Sequence, residues 1–553
     1  MINIELYKDD IEVKRFEIEK SSPIRKIVNG FVENYDDVLS FKIDSKRYQN
    51  DNFVVTKNCK INCITYNHIE GKRIYQDSAI FILTKAIYNL FADKVQLVVE
   101  HSIDDGVFCE LFGLDDYSEK YIYLIQDEMQ KIVKKGLWID KMKFSWDQAK
   151  DILKRQGRKD LIKNLDYYSD REIYLYKCGE YYDFYSRPLA DNTKNVPVFK
   201  VDYQEPGLIL RFPQRGSFTM RENIHFSEKV FEAHQLHDKW LNNLKVHNII
   251  DINKLIDQYE IGNFILHEEA LHEKKIANIA EEITQTNKKI ILIAGPSSSG
   301  KTTFSHRLAV QLLVSGLKPI VIGLDDYFMS RNRTPVLPNG EFDFESIHAL
   351  DLELLNDHLK KLLAGKEVEL PKYNFGRGLS ENSGKKVMLS PENVIVMEGI
   401  HGLNPELTAQ IPDDKKVKIY VTALNQLNID NHNRIPTTDC RKIRRSVRDY
   451  YYRGYSANET LSRWQSVRDG ENRNIFPYQE NADYIFNSGL TYELGCLKSH
   501  AYKELKKIPQ CSPNYTEAQR LLVLLGFIKD IPEKLVPNNS ILREFIGGSV
   551  FVG

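Results

Sequence analysis

Several features that would assign the chain to a specialised class are missing from its 553 residues. No apolar stretch is long enough to span a bilayer, and the first ten residues lack the apolar core of a signal peptide. The formal net charge is −1, so no global excess of basic residues favours nucleic acid or a membrane surface. We therefore expect a protein without a membrane segment.

Cysteine is also scarce, with seven residues scattered along the chain. Cys59 and Cys63 form the only close pair, and no neighbouring Cys or His completes a zinc-ligand set. We interpret all seven as reduced thiols and expect a cytoplasmic protein. The hydrophobic content of 42% and the charged content of 28% are ordinary for globular proteins. The length predicts about three or four domains.

The most informative segment runs from Gly295 to Thr302 and reads Gly-Pro-Ser-Ser-Ser-Gly-Lys-Thr. An apolar run at 289–294 precedes it, and apolar residues at helical spacing follow at 304–313. A chance match in a surface turn is the alternative, but strand, loop and helix are the context that a phosphate-binding P-loop needs.

This motif predicts ATP and Mg²⁺ as the bound species. Lys301 can reach the β- and γ-phosphates, and the Thr302 hydroxyl can ligate Mg²⁺. The residues expected to bind the nucleotide are Gly295, Ser297, Ser298, Ser299, Gly300, Lys301, Thr302 and Thr303.

From about residue 288, apolar strands alternate with helical stretches, which predicts an α/β fold with a parallel sheet and helices on both faces. Further strand candidates are 319–324, 393–397 and 417–422. Two of them end in carboxylates, Asp325 and Glu398, at the edge where such sheets bind ligands. One carboxylate can help to hold Mg²⁺ and the other can accept a proton from an attacking hydroxyl. A helix-capping role for Asp325 is the alternative.

A basic stretch between Arg441 and Arg453 predicts a helix with an arginine stripe. Four side chains fall on one face by their spacing: Arg441, Arg444, Arg445 and Arg448. A solvated helix face is the plain interpretation. Because a single Asp accompanies these arginines, we favour a lid that places guanidinium groups on phosphates.

Five segments together resemble the uridine kinase and phosphoribulokinase family over about residues 288–489. After the P-loop come Leu-Asp-Asp-Tyr-Phe at 324–328, Tyr-Asn-Phe at 373–375, Met-Glu-Gly-Ile at 397–400 and the arginine run. The resemblance implies ATP-dependent phosphorylation of a small-molecule hydroxyl, typically the 5′-hydroxyl of a nucleoside.

The resemblance also implies roles for individual residues. Asp325 is the expected general base, assisted in catalysis by Lys301 and Arg448, and the expected metal ligands are Thr302 and Glu398. The expected substrate contacts, besides Asp325, are Glu345 at the ribose, Tyr373 and Phe375 at the base, and Arg444 and Arg453 at substrate and phosphate.

Two departures leave the acceptor open. Uridine–cytidine kinases carry a pyrimidine-reading His shortly after the Tyr-x-Phe motif, whereas this chain has Gly-Arg-Gly-Leu at 376–379. The ribose-contacting position is Glu345 where the family has Asp.

The N-terminal half resembles parts of threonyl-tRNA synthetase. Residues 1–65 are similar to a TGS module, a small β-grasp domain, and residues from about 71 to 215 are similar to the second additional, or editing, domain. The editing family carries two metal-binding pairs, and here the matching positions are Asp77 with Phe81 and Tyr185 with Leu189. Since none is Cys or His, we expect that the metal site and its hydrolytic chemistry are lost.

The predicted layout is therefore a P-loop kinase preceded by α+β domains. Its segments are 1–65 (TGS-like β-grasp), 66–215 (editing-domain-like), 216–287 (helical connector), 288–490 (P-loop kinase) and 491–553 (helical extension).

Two function classes remain. A kinase acting on a nucleoside is favoured, because Asp325, Glu345, Tyr373 and Phe375 suit a small acceptor. An RNA-binding or regulatory NTPase is the alternative, in which the N-terminal half contacts RNA. The sequence leaves homo-oligomer formation open.

Overall fold

The chain begins with a five-stranded mixed sheet in a computed structural model that describes residues 1–44, 47–167, 172–222, 226–336, 340, 342–374, 376–425 and 427–551. The first elements are β1 (Ile2–Lys8), β2 (Ile11–Ile18), β3 (Ser22–Pro23), α1 (Ile24–Val28), β4 (Val38–Ile43), β5 (Arg47–Gln49), β6 (Val54–Val55) and β7 (Cys59–Thr65). The strand order is β2-β1-β7-β4-β5, with β1 and β7 parallel. Ile4, Leu6 and Ile61 form part of its core beneath α1.

A second region builds two antiparallel sheets around a long buried helix. Its elements are α2 (Ile69–Phe91), β8 (Gln96–Ile103), β9 (Gly106–Phe112), α3 (Glu119–Lys135), β10 (Asp140–Ser145), α4 (Trp146–Arg155), α5 (Lys159–Leu165), β11 (Glu172–Cys178), β12 (Tyr181–Asp183), β13 (Lys200–Gln204) and β14 (Gly207–Arg211). The sheets have the orders β13-β14-β9-β8 and β10-β11-β12. Helix α2 is apolar on most sides, as expected for a helix enclosed by protein.

Three helices follow: α6 (Glu228–Leu244), α7 (Ile249–Asp257) and α8 (Ile261–Thr284). None of the helices in the described parts of the chain is long and apolar enough to cross a membrane.

A five-stranded parallel sheet then carries the phosphate-binding motif. The elements of this part are β15 (Ile290–Ala294), α9 (Lys301–Val314), β16 (Lys318–Gly323), α10 (Leu352–Leu363), β17 (Val368–Asn374), β18 (Leu379–Val387), β19 (Asn393–Glu398), β20 (Lys416–Thr422), α11 (Thr437–Arg453), α12 (Ala457–Ser462), α13 (Trp464–Asn474) and β21 (Tyr484–Asn487). The order is β16-β19-β15-β20-β21. Four of these strands confirm the sequence prediction, whereas β21 and the β17–β18 hairpin were not predicted.

Both faces of this parallel sheet are covered. Side chains on alternate positions of β15 point to opposite faces, so Ile291 and Ile293 pack with the core that contains α8, α9 and α11. Ile290 and Leu292 pack on the other side with residues of α10. The predicted parallel sheet with helices on both faces is confirmed.

The chain continues with α14 (Glu493–Lys506), α15 (Tyr515–Gly526) and α16 (Arg543–Ile546). Helix α11 confirms the predicted arginine helix.

One apolar core joins the N-terminal half to the nucleotide-binding part. Leu153 and Phe184 belong to the same cluster of buried side chains as Val396 and Leu525, and the rings of Phe184 and Phe527 lie 5.9 Å apart. The two parts of the chain therefore share a continuous hydrophobic interior.

A buried charge cluster lies at the same junction. The guanidinium of Arg158 forms ion pairs with Asp160 and Asp183 of the N-terminal half and with Asp430 of the nucleotide-binding part. The carboxylates of Asp183 and Asp430 are fully buried. Because a buried carboxylate without a partner is costly, Arg158 ties the position of one part to that of the other.

Candidate active site

The loop between β15 and α9 has a backbone that excludes larger residues at two positions. Gly300 caps α9 with a φ of +80°, a conformation that glycine adopts without steric cost. A Cβ on Gly295 would lie 2.0 Å from the carbonyl oxygen of Val421. The loop therefore lies directly against the neighbouring strand and turns sharply into the helix.

Hydrogen-bond donors in this loop are suited to an anion. The first amides of a helix have no partner within the helix, and they carry its partial positive charge. The hydroxyls of Ser298 and Ser299 are buried and have no hydrogen-bond partner within the described residues. Buried donors that lack a partner fit a phosphate group, which can accept several hydrogen bonds at once.

Lys301 places a cation among carboxylates at this loop. Its ammonium group donates to the carbonyl oxygen of Pro296 at 3.3 Å. Burial lowers the pKa of Lys301, and the nearby carboxylates of Glu398 and Glu544 act in the opposite direction. A half-buried lysine in this position can neutralise charge on phosphate oxygens.

The two predicted carboxylates meet at the carboxyl edge of the sheet. Strands β16 and β19 are neighbours, and Gly323 pairs with Glu398, so Asp325 lies just past the end of β16 beside Glu398. Burial raises the pKa of the Glu398 carboxyl, Lys301 opposes that shift, and Asp325 adds to it. Crowding by protein atoms likewise raises the pKa of Asp325, although its side chain stays accessible to solvent, and Lys301 opposes the shift.

Thr302 and Glu398 are positioned to share a cation. The Thr302 hydroxyl donates to Oε1 of Glu398 at 3.1 Å. No group of three or more His, Cys, Asp or Glu side chains arranged for a metal occurs in the described part of the chain. Mg²⁺ does not require such a group, because it commonly takes one or two protein oxygens together with phosphate and water. A hydroxyl and a carboxylate at the phosphate loop fit that donor set.

Glu345 is the residue expected to contact the ribose of the acceptor. Burial and the neighbouring Glu471 raise the pKa of Glu345, while Arg445 and Lys301 oppose the shift. The charge of Lys301 therefore acts on Glu345 as it does on Asp325 and Glu398.

The aromatic residues expected to line the acceptor pocket have different outcomes. Tyr373 is only 4% exposed and belongs to the apolar core, where its ring lies 5.5 Å from that of Phe328. The expectation that Tyr373 lines the pocket for the base stays a prediction. Phe375 lies outside the described residues.

The arginine stripe divides into two groups, and the first braces the loop. Arg444 is fully buried, and its guanidinium is held by both carboxylate oxygens of Glu493 and by the carbonyl of Ser488. Arg441 donates to the carbonyl oxygen of Ser297 at 2.9 Å. The expected substrate contact of Arg444 stays a prediction, and the sequence pattern gave no sign of the carboxylate that binds its guanidinium.

The second group gathers around one buried carboxylate. Asp449 is 2% exposed, and it pairs with Arg445 at 3.2 Å, Arg448 at 2.9 Å and Arg453 at 3.7 Å. Arg445 also donates to the hydroxyl of Ser297 at 2.6 Å. Burial lowers the pKa of Lys301, and the charge of Arg448 lowers it further. Burial raises the pKa of Asp325, and the charge of Arg453 opposes that rise. Three cations therefore face the cleft from one helix.

Two carboxylates at the loop were missed by sequence reasoning. Glu471 is 3% exposed. It accepts from the amide of Ser297 at 3.0 Å and from Arg441 and Arg468. Glu544 accepts from the amide and hydroxyl of Thr303. Neither lies in a recognisable motif, and both come from segments distant in sequence from the loop.

Known proteins are similar in sequence to this part of the chain. The sequence profile of the Phosphoribulokinase / Uridine kinase family matches residues 290–494. The uridine kinase of Macrococcus caseolyticus is 31% identical over 201 residues, which cover 36% of this chain and 88% of that protein. The uridine kinase of Staphylococcus haemolyticus is 30% identical over 204 residues, covering 37% and 89%.

A solved structure described as a possible uridine kinase from Bacillus stearothermophilus shares 18% identity, covers 39% of this chain and 98% of its own, and gives a TM-score of 0.26. The phosphate loop, the parallel sheet and the sequence matches define an ATP-dependent kinase that transfers phosphate to a hydroxyl group. The chain belongs to the phosphoribulokinase and uridine kinase family through residues 290–494.

Proposed function

We propose that the chain phosphorylates a hydroxyl of a nucleoside or a closely related ribose compound. The observation that carries the proposal is that the charge of Lys301 opposes the rise in pKa of three carboxyl groups, those of Asp325, Glu398 and Glu345. A nucleotide switch needs the lysine and a metal-binding carboxylate, but it has no use for two further carboxylates facing an acceptor.

In the proposed mechanism, Asp325 accepts the proton of the attacking hydroxyl. The raised pKa of its carboxyl, caused by crowding and burial, makes it a stronger base than an ordinary aspartate. Lys301 and Arg448 stabilise the charge on the transferring phosphoryl group. Thr302 and Glu398 would hold Mg²⁺, which when bound neutralises charge on the β- and γ-phosphate oxygens of ATP.

The residues that would contact the nucleobase of the acceptor differ from those of uridine–cytidine kinases. In place of a pyrimidine-reading His, the chain has Arg377, which is exposed and pairs with Glu381 at 3.3 Å. The uridine kinase relatives support a nucleoside, and we propose that Glu345 holds a ribose hydroxyl.

A panel of nucleosides and other small alcohols with ATP and Mg²⁺ tests this function. We expect one ribose compound to be phosphorylated and its KM to rise about tenfold in the Glu345→Gln variant, because a charged hydrogen bond is lost. Glu353→Gln, which changes an exposed glutamate on α10, should leave KM unchanged. Hydrolysis of ATP without transfer to any acceptor would favour the NTPase alternative instead.

For the N-terminal half, we propose a TGS-like module at 1–65 and an editing-domain-like region at 66–215, followed by the connector at 216–287, the kinase at 288–490 and the extension at 491–553. Ring packing and an ion pair occupy the positions that match the metal-binding pairs. The rings of Phe81 and Tyr185 lie 5.8 Å apart, and Asp77 pairs with Arg187 at 2.5 Å. Leu189 is 3% exposed. Apolar contacts and an ion pair at these positions support a scaffold that has lost its metal.

We therefore predict that the N-terminal half of the purified protein holds no stoichiometric zinc, since the matched positions offer neither thiolate nor imidazole. Elemental analysis after dialysis against a chelator measures this directly, with a known zinc enzyme treated in parallel as the control. One zinc per chain that survives dialysis and is lost in Asp77→Asn would contradict the prediction.

A further inference from the structure

The segment after α15 returns to the phosphate loop. Ile541, Leu542 and Phe545 are fully buried, and Arg543 donates to backbone carbonyls of the same segment, including that of Glu533 at 2.9 Å. The ring of Phe545 lies 5.1 Å from the guanidinium carbon of Arg444 on α11. These contacts fix α16 against the helix that braces the loop.

From this position α16 places a carboxylate on the first turn of α9. Oε2 of Glu544 accepts from the amide of Thr303 at 3.3 Å and from its hydroxyl at 3.0 Å. Ile541 lies so close to the loop that a Cβ on Gly300 would be 2.4 Å from its Cγ2. The segment thus touches both the loop and the helix terminus.

Glu544 is also electrostatically part of the nucleotide site. Burial raises the pKa of Glu398, and the charge of Glu544 adds a smaller rise. Burial lowers the pKa of Lys301, and Glu544 opposes that fall. The amides of the first turn of this helix are the donors that phosphate groups of a nucleotide use. A carboxylate and a phosphate oxygen compete for such a donor, and their like charges repel each other.

We propose that Glu544 is an autoinhibitory group, which holds the Thr303 end of the phosphate site and must withdraw before the nucleotide phosphates bind fully. The proposal requires only that the chain binds ATP, and it does not depend on the acceptor. A carboxylate at a helix terminus can also act simply as a cap. A cap affects stability, whereas an autoinhibitory group affects the affinity for phosphates.

Nucleotide binding to the full-length protein, measured by titration calorimetry with MgATP and ADP, tests the proposal. Glu544→Gln retains the size of the side chain and removes its charge, and we expect it to bind both nucleotides about five- to tenfold more tightly than the wild type. Glu544→Asp retains the charge and should bind more weakly than the Gln variant. Glu533→Gln is the matched control, because Glu533 pairs with His500 away from the loop, and it should bind as the wild type does.

Adenosine, measured by competition against ADP, separates the two roles because it has no phosphate. Its affinity should be the same in the wild type and in Glu544→Gln. Hydrogen exchange of residues 536–551 should increase when ADP is added to the wild type. Unchanged or weaker ATP binding by Glu544→Gln would overturn the proposal. So would an equal gain for adenosine, or an exchange rate in this segment that ADP leaves unchanged.

Discussion

Replacing Lys301 with alanine should lower the rate of phosphoryl transfer by about a hundredfold or more while the fold stays intact. The charge of Lys301 acts on Asp325, Glu345 and Glu398, and its ammonium group donates a long hydrogen bond of 3.3 Å to a loop carbonyl. Its removal should therefore cost little stability but take away the cation expected to neutralise charge on the β- and γ-phosphates. Steady-state kinetics with the acceptor found in the panel measures the effect.

Lys318→Ala is a suitable control for this experiment. Lys318 begins the neighbouring strand β16, and its exposed side chain pairs with Glu392, so turnover should remain at the wild-type value. A thermal unfolding curve of Lys301→Ala should coincide with that of the wild type. Turnover within about threefold of the wild type, on a properly folded variant, would remove Lys301 from the mechanism, since that is less than 1 kcal/mol of barrier.

The phosphate loop and its strands could be predicted because their signals are local. The apolar run before Gly295 and the helical spacing after Thr302 specify strand, loop and helix within about 25 residues. Asp325 and Glu398 could be placed together because the ends of parallel strands meet at one edge. The short strand β21 was missed, since its four residues contain only two strongly apolar side chains and give little periodicity.

The partners of charged side chains could not be predicted, because they depend on contacts between distant segments. Arg444 and Arg445 look equivalent in the sequence, yet Arg444 is bound by Glu493 from α14, whereas Arg445 reaches the loop hydroxyl of Ser297. Glu471 and Glu544 lie about 170 and 240 positions from the residues they bind. No pattern along the chain records such a pairing, and only the fold reveals which arginines remain directed at the cleft.

Asp325→Asn should keep ATP binding while phosphoryl transfer falls by roughly 10²- to 10⁴-fold, because the amide cannot accept the proton of the attacking hydroxyl. The substitution is nearly isosteric, so local packing should survive. Asp326→Asn is the matched control, since Asp326 is the next residue and its carboxylate interacts with the backbone of Tyr373. It should retain most of the activity. Kinetics across a series of Mg²⁺ concentrations and pH values measures both variants.

The Mg²⁺ and pH series separate three roles for Asp325. If Asp325 is a metal ligand, its loss weakens Mg²⁺ binding, and raising the Mg²⁺ concentration would partly restore the rate. A helix cap tolerates Asn, so activity would barely change.

A base must be deprotonated, and since burial raises the pKa of Asp325, the wild-type rate should fall on acidification at a pH above the usual aspartate range. That acid limb should disappear in Asp325→Asn if Asp325 causes it, and should persist if it comes from Glu398, whose pKa burial also raises. A large loss that Mg²⁺ cannot restore, with no remaining acid limb, supports a hydroxyl-activating base. Near-wild-type turnover would exclude Asp325 from the chemistry and weaken the assignment of an acceptor site to this cleft.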